Sequence, residues 1–158
     1  MQIIAVLQQL KPIEGEVSAL FLCTTREQTQ NHEHRVKLLS KYLENIQTAS
    51  FVGGSSIKKD AEVLRKDQPH IVIGTPARIY ALIQSGSLDL NSIKHLVIDD
   101  ADIIINHNGI CTTVEKIFNS SSKKKQVIIT TNTMSKELRR FCEKFMETKP
   151  RRFEFLKE

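Results

Sequence analysis

Short runs of branched apolar residues, each ending abruptly at glycine or polar sequence, alternate along the chain with stretches that are apolar on one face only. The runs at residues 17–23, 49–52, 70–74, 95–98 and 126–131 have the length and composition of buried strands. Between them the spacing predicts one helix over residues 1–10, one capped by Thr24 or Thr25 with Glu27 in its first turn, and one over 57–66. The second of these carries Val36, Leu39, Leu43 and Ile46 as a single apolar stripe. Thr75 as N-cap with Pro76 at the first helical position opens the next helix, and Gly86 closes it. A loop around Gly109 then leads to a helix near 113–118, and Ser135 caps a last helix reaching Met146. Phe153-Glu154-Phe155 is expected to add a final strand. This rhythm implies an α/β domain with a mostly parallel sheet and helices on both faces.

In such a sheet the strand C-termini share one edge, and ligands bind there. Residues 24–26, Gly53-Gly54, 74–78, 99–102 and 131–133 all arrive at that edge. The sharpest feature is His95-Leu96-Val97-Ile98 running into Asp99-Asp100-Ala101-Asp102. Acids after an apolar strand hold magnesium in many nucleotide hydrolases, largely through the ion's own waters. The same pattern also describes a strand end followed by an acidic turn, and taken alone it leaves both readings open.

Composition narrows the class. A chain of 158 residues with 40% apolar content is one domain with room for a real core, and no apolar run nears the roughly 20 residues of a membrane span. The opening residues have neither a basic leader nor a small-residue cleavage site, so an intracellular chain is expected. Cys23, Cys111 and Cys142 are odd in number and far apart, which points to reduced thiols rather than structural zinc. His32 and His34 stand about 200° apart on a helix, so they cannot share a metal there, and they read as exposed. A net charge of +5 allows a nucleic-acid partner without requiring one. The basic runs at 123–125 and 149–152 are expected to be solvated loops.

The order of motifs along the edge resembles the first RecA-like lobe of the DEAD-box RNA helicases. Thr25-Arg26-Glu27 is similar to that family's P-T-R-E-L-A element, Gly53-Gly54 to its GG element and Thr75-Pro76-Ala77-Arg78 to T-P-G-R. Asp99-Asp100-Ala101-Asp102 stands where D-E-A-D stands, and Thr131-Asn132-Thr133 where S-A-T stands. Residues 56–60, 69–76, 93–95 and 134–137 resemble the DECD-box branch, the nuclear ATPases of splicing and mRNA export. The resemblance implies that residues 1–158 are a single, partial N-terminal helicase domain of the P-loop NTPase type. It implies ATP and magnesium as cofactors, RNA and mRNA processing or export proteins as partners, no membrane, and a nuclear location. It carries catalytic roles to Asp99, Asp100, Asp102, Thr131 and Thr133, with Asp99 facing magnesium through water. It carries RNA contacts to Thr25, Arg26, Gly53, Gly54, Thr75, Pro76 and Arg78.

The departures are equally specific. No G-x-x-x-x-G-K-[S/T] occurs, and residues 1–10 resemble the helix that follows that phosphate loop, so the chain is expected to begin just after it. A gap is then expected beside the Asp99 strand, giving a marginal monomer or association through the open edge. Asp100 replaces a glutamate, which withdraws the carboxylate by roughly 1.5 Å. Asn132 and Ala77 replace an alanine and a glycine, and Gln28, Thr29 and His32 replace apolar helix positions. A degenerate domain that binds RNA or partners in mRNA processing or export, without its own ATPase, is therefore expected. The alternatives are a piece of an active ATP-dependent RNA helicase and an interaction module that competes with one for its partners.

Overall fold

The computed structural model describes residues 2–43, 45–146 and 150–154. Its strands are β1 (Ala19–Leu22), β2 (Thr48–Phe51), β3 (Ile71–Gly74), β4 (His95–Ile98) and β5 (Gln126–Ile129). They form one all-parallel sheet in the order β2-β3-β1-β4-β5, with Ala19 beside Ile71 on one side and His95 on the other. The helices are α1 (Gln2–Gln9), α2 (Arg26–Leu39), α3 (Ile57–Asp67), α4 (Pro76–Gln84), α5 (Ala101–Ile105), α6 (Asn108–Asn119) and α7 (Lys136–Phe145).

Side chains on successive strand residues point to opposite faces, and each face has its own core. Ala19 and Phe21 pack with Ile71, Ile73 and Val97 under Ile3, Val6 and Leu7 of α1 and Val36 of α2. Leu20 and Leu22 pack with Val72, Leu96 and Ile98 under α3 to α7, which contribute Leu64, Ile79, Leu82, Ile104, Val114, Ile117, Leu138 and Phe141. Coverage on both faces is why the central strands read as unbroken apolar runs rather than alternating ones. Each fully buried aliphatic side chain contributes about 1.5–3 kcal/mol.

The structure corrects several expectations. β4 is paired on both sides, to β1 and to β5, so there is no gap beside the Asp99 strand. The outer position is taken by β5, whose Val127, Ile128 and Ile129 are only half-buried where β1, β3 and β4 are buried throughout. α2 stops at Leu39 rather than running on to Ile46, because the chain must reverse at Ser40 to enter β2. The expected stripe is broken as a result: Val36 is buried, while Leu39 and Leu43 are 41% and 43% exposed. Gly109 lies inside α6 and not in a loop, and the short α5 before it is new. Residues 151–154 form no strand, and Phe155 of the expected final strand lies outside the described residues, as does Lys149. Lys123 and Lys124 are exposed, but Lys125 folds back, with Nζ 2.8 Å from the Ser122 carbonyl and 3.7 Å from the Phe118 ring centre. Among the described residues no helix is long and apolar enough to cross a membrane.

Candidate functional site

Every strand C-terminus opens onto the same edge, and α2 begins there before running back over one face of the sheet. Thr25 is the N-cap of α2 and forms a reciprocal capping box with Gln28, so the helix starts at a defined residue with its first-turn donors satisfied. Gln28 does more than cap. Its Oε1 accepts from the Thr24 amide at 3.1 Å and the Thr24 hydroxyl at 2.6 Å, while its Nε2 donates to the Asp100 carboxylate. One amide side chain therefore joins the end of β1 to the end of β4.

One turn further along α2, His32 reaches the neighbouring acid. Its Nε2 lies 3.2 Å from Asp99 Oδ2, and its Nδ1 lies 3.0 Å from the Gln28 carbonyl oxygen. Gln2, at the start of α1, donates to Asp99 Oδ1 at 3.3 Å and also lies 3.3 Å from His32 Nε2. The Thr130 hydroxyl donates to the same Oδ1, and Asn132 Nδ2 donates to Asp100 Oδ1 at 3.4 Å. Asp100 adopts a left-handed backbone, φ 50°, which aspartate tolerates better than most residues. Thr131 and Thr133 are tied to each other, and Thr133 reaches Asp102 Oδ2 at 3.5 Å, leaving Asp102 Oδ1 buried with no hydrogen-bond partner.

His32 is thus 6% exposed, against the expectation of a surface histidine, whereas His34 is exposed as expected. The signal was in the spacing: Gln28, Thr29 and His32 lie eight, seven and four residues before buried Val36, which puts them on the helix face that meets the sheet. Under that face the Cys23 thiol is fully buried. Burial first, and then the charges of Asp99 and Asp100 against a bond from Thr29, push its pKa up to about 12.

The second group of expected residues surrounds the loop after β2. Arg26 donates through Nη2 to the Gly53 carbonyl at 2.6 Å, and Arg78 donates through Nη2 to the Ser55 carbonyl at 2.6 Å. Arg78 is itself held by Asp60, 3.5 Å away, and Asp60 accepts from the Ser55 hydroxyl at 2.8 Å. Gly54 takes φ 109°, a conformation that L side chains rarely adopt, and a Cβ there would sit 3.0 Å from Arg26 Nη2. Thr75 and Pro76 begin α4 without a side-chain cap bond, as His107 does at α6. Both helix starts line one open cavity of about 470 Å³ together with Thr24 and Thr113. Arg26, Thr25, Gly53 and Gly54 are exposed, while Arg78 is buried. The structure therefore brings all the expected residues to one edge as two adjoining groups, acids with α2 and arginines with the Gly53–Ser55 loop.

Comparison with known proteins gives concordant matches. A family model described as DEAD/DEAH box helicase matches residues 1–141. The chain is 39% identical over 145 residues to the human ATP-dependent RNA helicase DDX39A, a match covering 92% of this chain and 34% of that protein. It is 40% identical over 145 residues to the DEAD-box ATP-dependent RNA helicase 56 of Oryza sativa subsp. japonica, again covering 92% and 34%. The crystal structure of a DEAD box protein from the hyperthermophile Methanococcus jannaschii superposes with a TM-score of 0.80 at 28% identity, covering 92% of this chain and 40% of that one. The chain spans about a third of the length of the curated relatives it matches.

Proposed function

The chain belongs to the DEAD/DEAH box helicase family, with the RecA-like sheet of its N-terminal lobe, and from that premise we propose that it is an RNA- or partner-binding domain of nuclear mRNA processing or export without an ATPase of its own. The observation that carries the RNA reading is the paired arginine hold on the Gly53–Ser55 loop beside the uncapped start of α4. Phosphate oxygens are met by arginine, by hydroxyls and by free N–H groups at helix starts, and such contacts position a backbone without reading its sequence. Arg26 uses one of its donors on Gly53 and keeps the others for solvent or ligand. Thr25, Thr75 and the first amides of α4 supply further donors, and the two glycines let a strand of RNA approach the loop backbone. Arg78 shapes that loop from beneath.

ATP and magnesium are implied by the family, and the acids as they stand do not fit a hydrated magnesium ion. Magnesium keeps its waters, and these reach a carboxylate by donating to its lone pairs. At Asp99 and Asp100 every carboxylate oxygen already faces a partner, Gln2 and Thr130 at Asp99 Oδ1, His32 at Asp99 Oδ2, Gln28 at Asp100 Oδ2 and Asn132 at Asp100 Oδ1, which takes about five of roughly eight lone-pair sites and crowds the rest. Among the described residues no group of three or more His, Cys, Asp or Glu is placed to hold a metal. No catalytic step is assigned through this site.

Anisotropy of labelled single-stranded RNAs of unrelated sequence, with phosphate release followed in parallel, tests the proposal. Weak binding that falls steeply with salt is expected, weakened alike for all sequences by Arg26→Ala, with no phosphate release above a no-protein blank. Salt-independent or sequence-selective binding would count against it, as would turnover that disappears in Asp99→Ala. A second reading, a piece of an active ATP-dependent RNA helicase, is favoured by the match that spans 92% of this chain and only 34% of its relatives. Sequencing the native transcript separates the two, since a reading frame continuing upstream through a phosphate loop supports the piece.

A further inference from the structure

Three residues at positions where the family has apolar ones, Gln28, Thr29 and His32, fall on the sheet-facing side of α2, and two of them end on the acids of the strand end. Polar groups at a buried helix face cost stability unless each finds a partner. Here Gln28 meets Asp100 and Thr24, His32 meets Asp99, Gln2 and the Gln28 carbonyl, and Thr29 donates to the Thr25 carbonyl. Asp99 Oδ1 accepts from Gln2 and Thr130, Oδ2 faces His32, and His32 in turn lies against the Phe21 ring, with centroids 6.1 Å apart. Asp100 is turned into the same network by its left-handed backbone and is held at Oδ2 by Gln28 and at Oδ1 by Asn132. α1, α2, β1, β4 and the segment after β5 are thereby joined at one point.

We propose that this chain has exchanged a cation site for an internal clasp: Gln2 and His32 at Asp99, with Gln28 and Asn132 at Asp100, occupy the carboxylate positions that the water shell of a divalent cation would use, so that the acidic strand end ties α1 and α2 to the sheet and excludes magnesium. The inference deepens the proposed function at the same edge, since a domain so closed has no use for a nucleotide-bound metal. Removing the donors of the clasp should reopen the acids, whatever the domain binds. Donors seated on a carboxylate must be displaced before a metal's waters can take their place. Freeing Asp99 from two of them should therefore tighten metal binding by about ten-fold or more.

The test uses the whole isotopically labelled chain, with Mn²⁺ as a paramagnetic stand-in for magnesium and the amide signals of residues 99–102 as the readout. In the unaltered chain these signals should broaden no earlier than those of exposed acids such as Glu27. In a variant carrying His32→Ile and Gln2→Leu they should broaden selectively at Mn²⁺ concentrations at least roughly ten-fold lower. Should the double variant not fold, Gln2→Leu alone, at a half-buried position, is read in the same way with a smaller shift expected. Selective broadening at residues 99–102 in the unaltered chain, at the concentration that affects the variant, would overturn the clasp. RNA anisotropy on the same samples keeps the two ideas apart. Arg26 and the Gly53–Ser55 loop lie outside the clasp, so RNA binding should survive His32→Ile. Loss of all RNA binding with the acids still closed removes the RNA reading and leaves the clasp standing.

Discussion

Arg78 and Asp60 face each other at 3.5 Å with side chains only 9% and 11% exposed, and Asp60 Oδ2 has no hydrogen-bond partner of its own. Each charge is tolerable in that place only because the other is there. Removing one leaves the survivor buried and uncompensated, which costs about 3–5 kcal/mol. Asp60→Ala and Arg78→Ala should therefore each lower the urea midpoint strongly, and the double variant should lose less than the sum. Additive losses in a double-mutant cycle would show that the two side chains act independently.

Gly74 closes β3 where three elements meet. A Cβ there would lie 2.6 Å from the Phe51 carbonyl oxygen and 2.6 Å from Ile79 Cδ1. The backbone oxygen cannot move without breaking the β2–β3 pairing, so Gly74→Ala should cost about 1–3 kcal/mol by overpacking. Gly109→Ala, with nothing within 4 Å of the added carbon, is the control. Thermal unfolding of both variants checks the difference, and equal melting temperatures would refute it.

His70 and His95 are both shifted below the usual histidine value of 6.5, because burial disfavours the charged ring; Glu14 and a bond to Gln126 oppose the shift. At His70 the Gln47 amide donates to Nδ1 at 3.1 Å, an acceptor role that protonation abolishes. The unfolded chain takes up protons below 6.5 more readily than the folded one, so this stability is complete above that pH and is lost as pH falls through it. The melting temperature should drop by about 2–4 °C between pH of about 7.5 and about 5.5 for each kcal/mol so lost. His70→Gln should flatten the profile, and an unchanged slope in that variant would assign the dependence elsewhere.

Cysteine reactivity should divide the three thiols. Cys23 is fully buried with a pKa pushed up to about 12, whereas Cys111 and Cys142 are raised by burial but remain half-exposed. A thiol reagent near neutral pH should label Cys111 and Cys142 in the native chain and reach Cys23 only on denaturation. Peptide mapping after a timed reaction gives the order, and early labelling of Cys23 would contradict it.

The apolar runs in chain order and the helix starts at Thr24 or Thr25, at Thr75-Pro76 and at Ser135 were legible in the sequence, because each depends on residues adjacent in the chain, and the convergence of motifs on one edge followed from the alternation of those runs with helices. The burial of His32 was legible only through its spacing to Val36. Periodicity tells which residues share a helix face; it does not tell which face meets the sheet when the candidates are polar, and only Val36 marked that side. The early stop of α2 was hidden because Leu39, Leu43 and Ile46 keep helical spacing after the helix has ended. The position of β5 beside β4 depends on pairing between distant segments, for which four-residue runs carry no register signal. The left-handed Asp100, which brings the second acid into the clasp, leaves no trace in residue type.

The register described for β1 has a consequence for how the molecule comes into being. Its two neighbours, β3 and β4, both follow it in the chain, and the nearer pairing sets Ala19 beside Ile71. During synthesis β1 leaves the ribosome long before either partner exists. Ala19, Leu20, Phe21 and Leu22, each 1% exposed or less in the finished sheet, therefore lack both strand neighbours until Ile71–Gly74 has emerged, and one of them until His95–Ile98 follows. Parallel pairing over such separations is slow to form and exposes apolar strands to aggregation meanwhile. The helix that follows β1, polar along its first half, is well suited to keeping the nascent segment in solution through that interval.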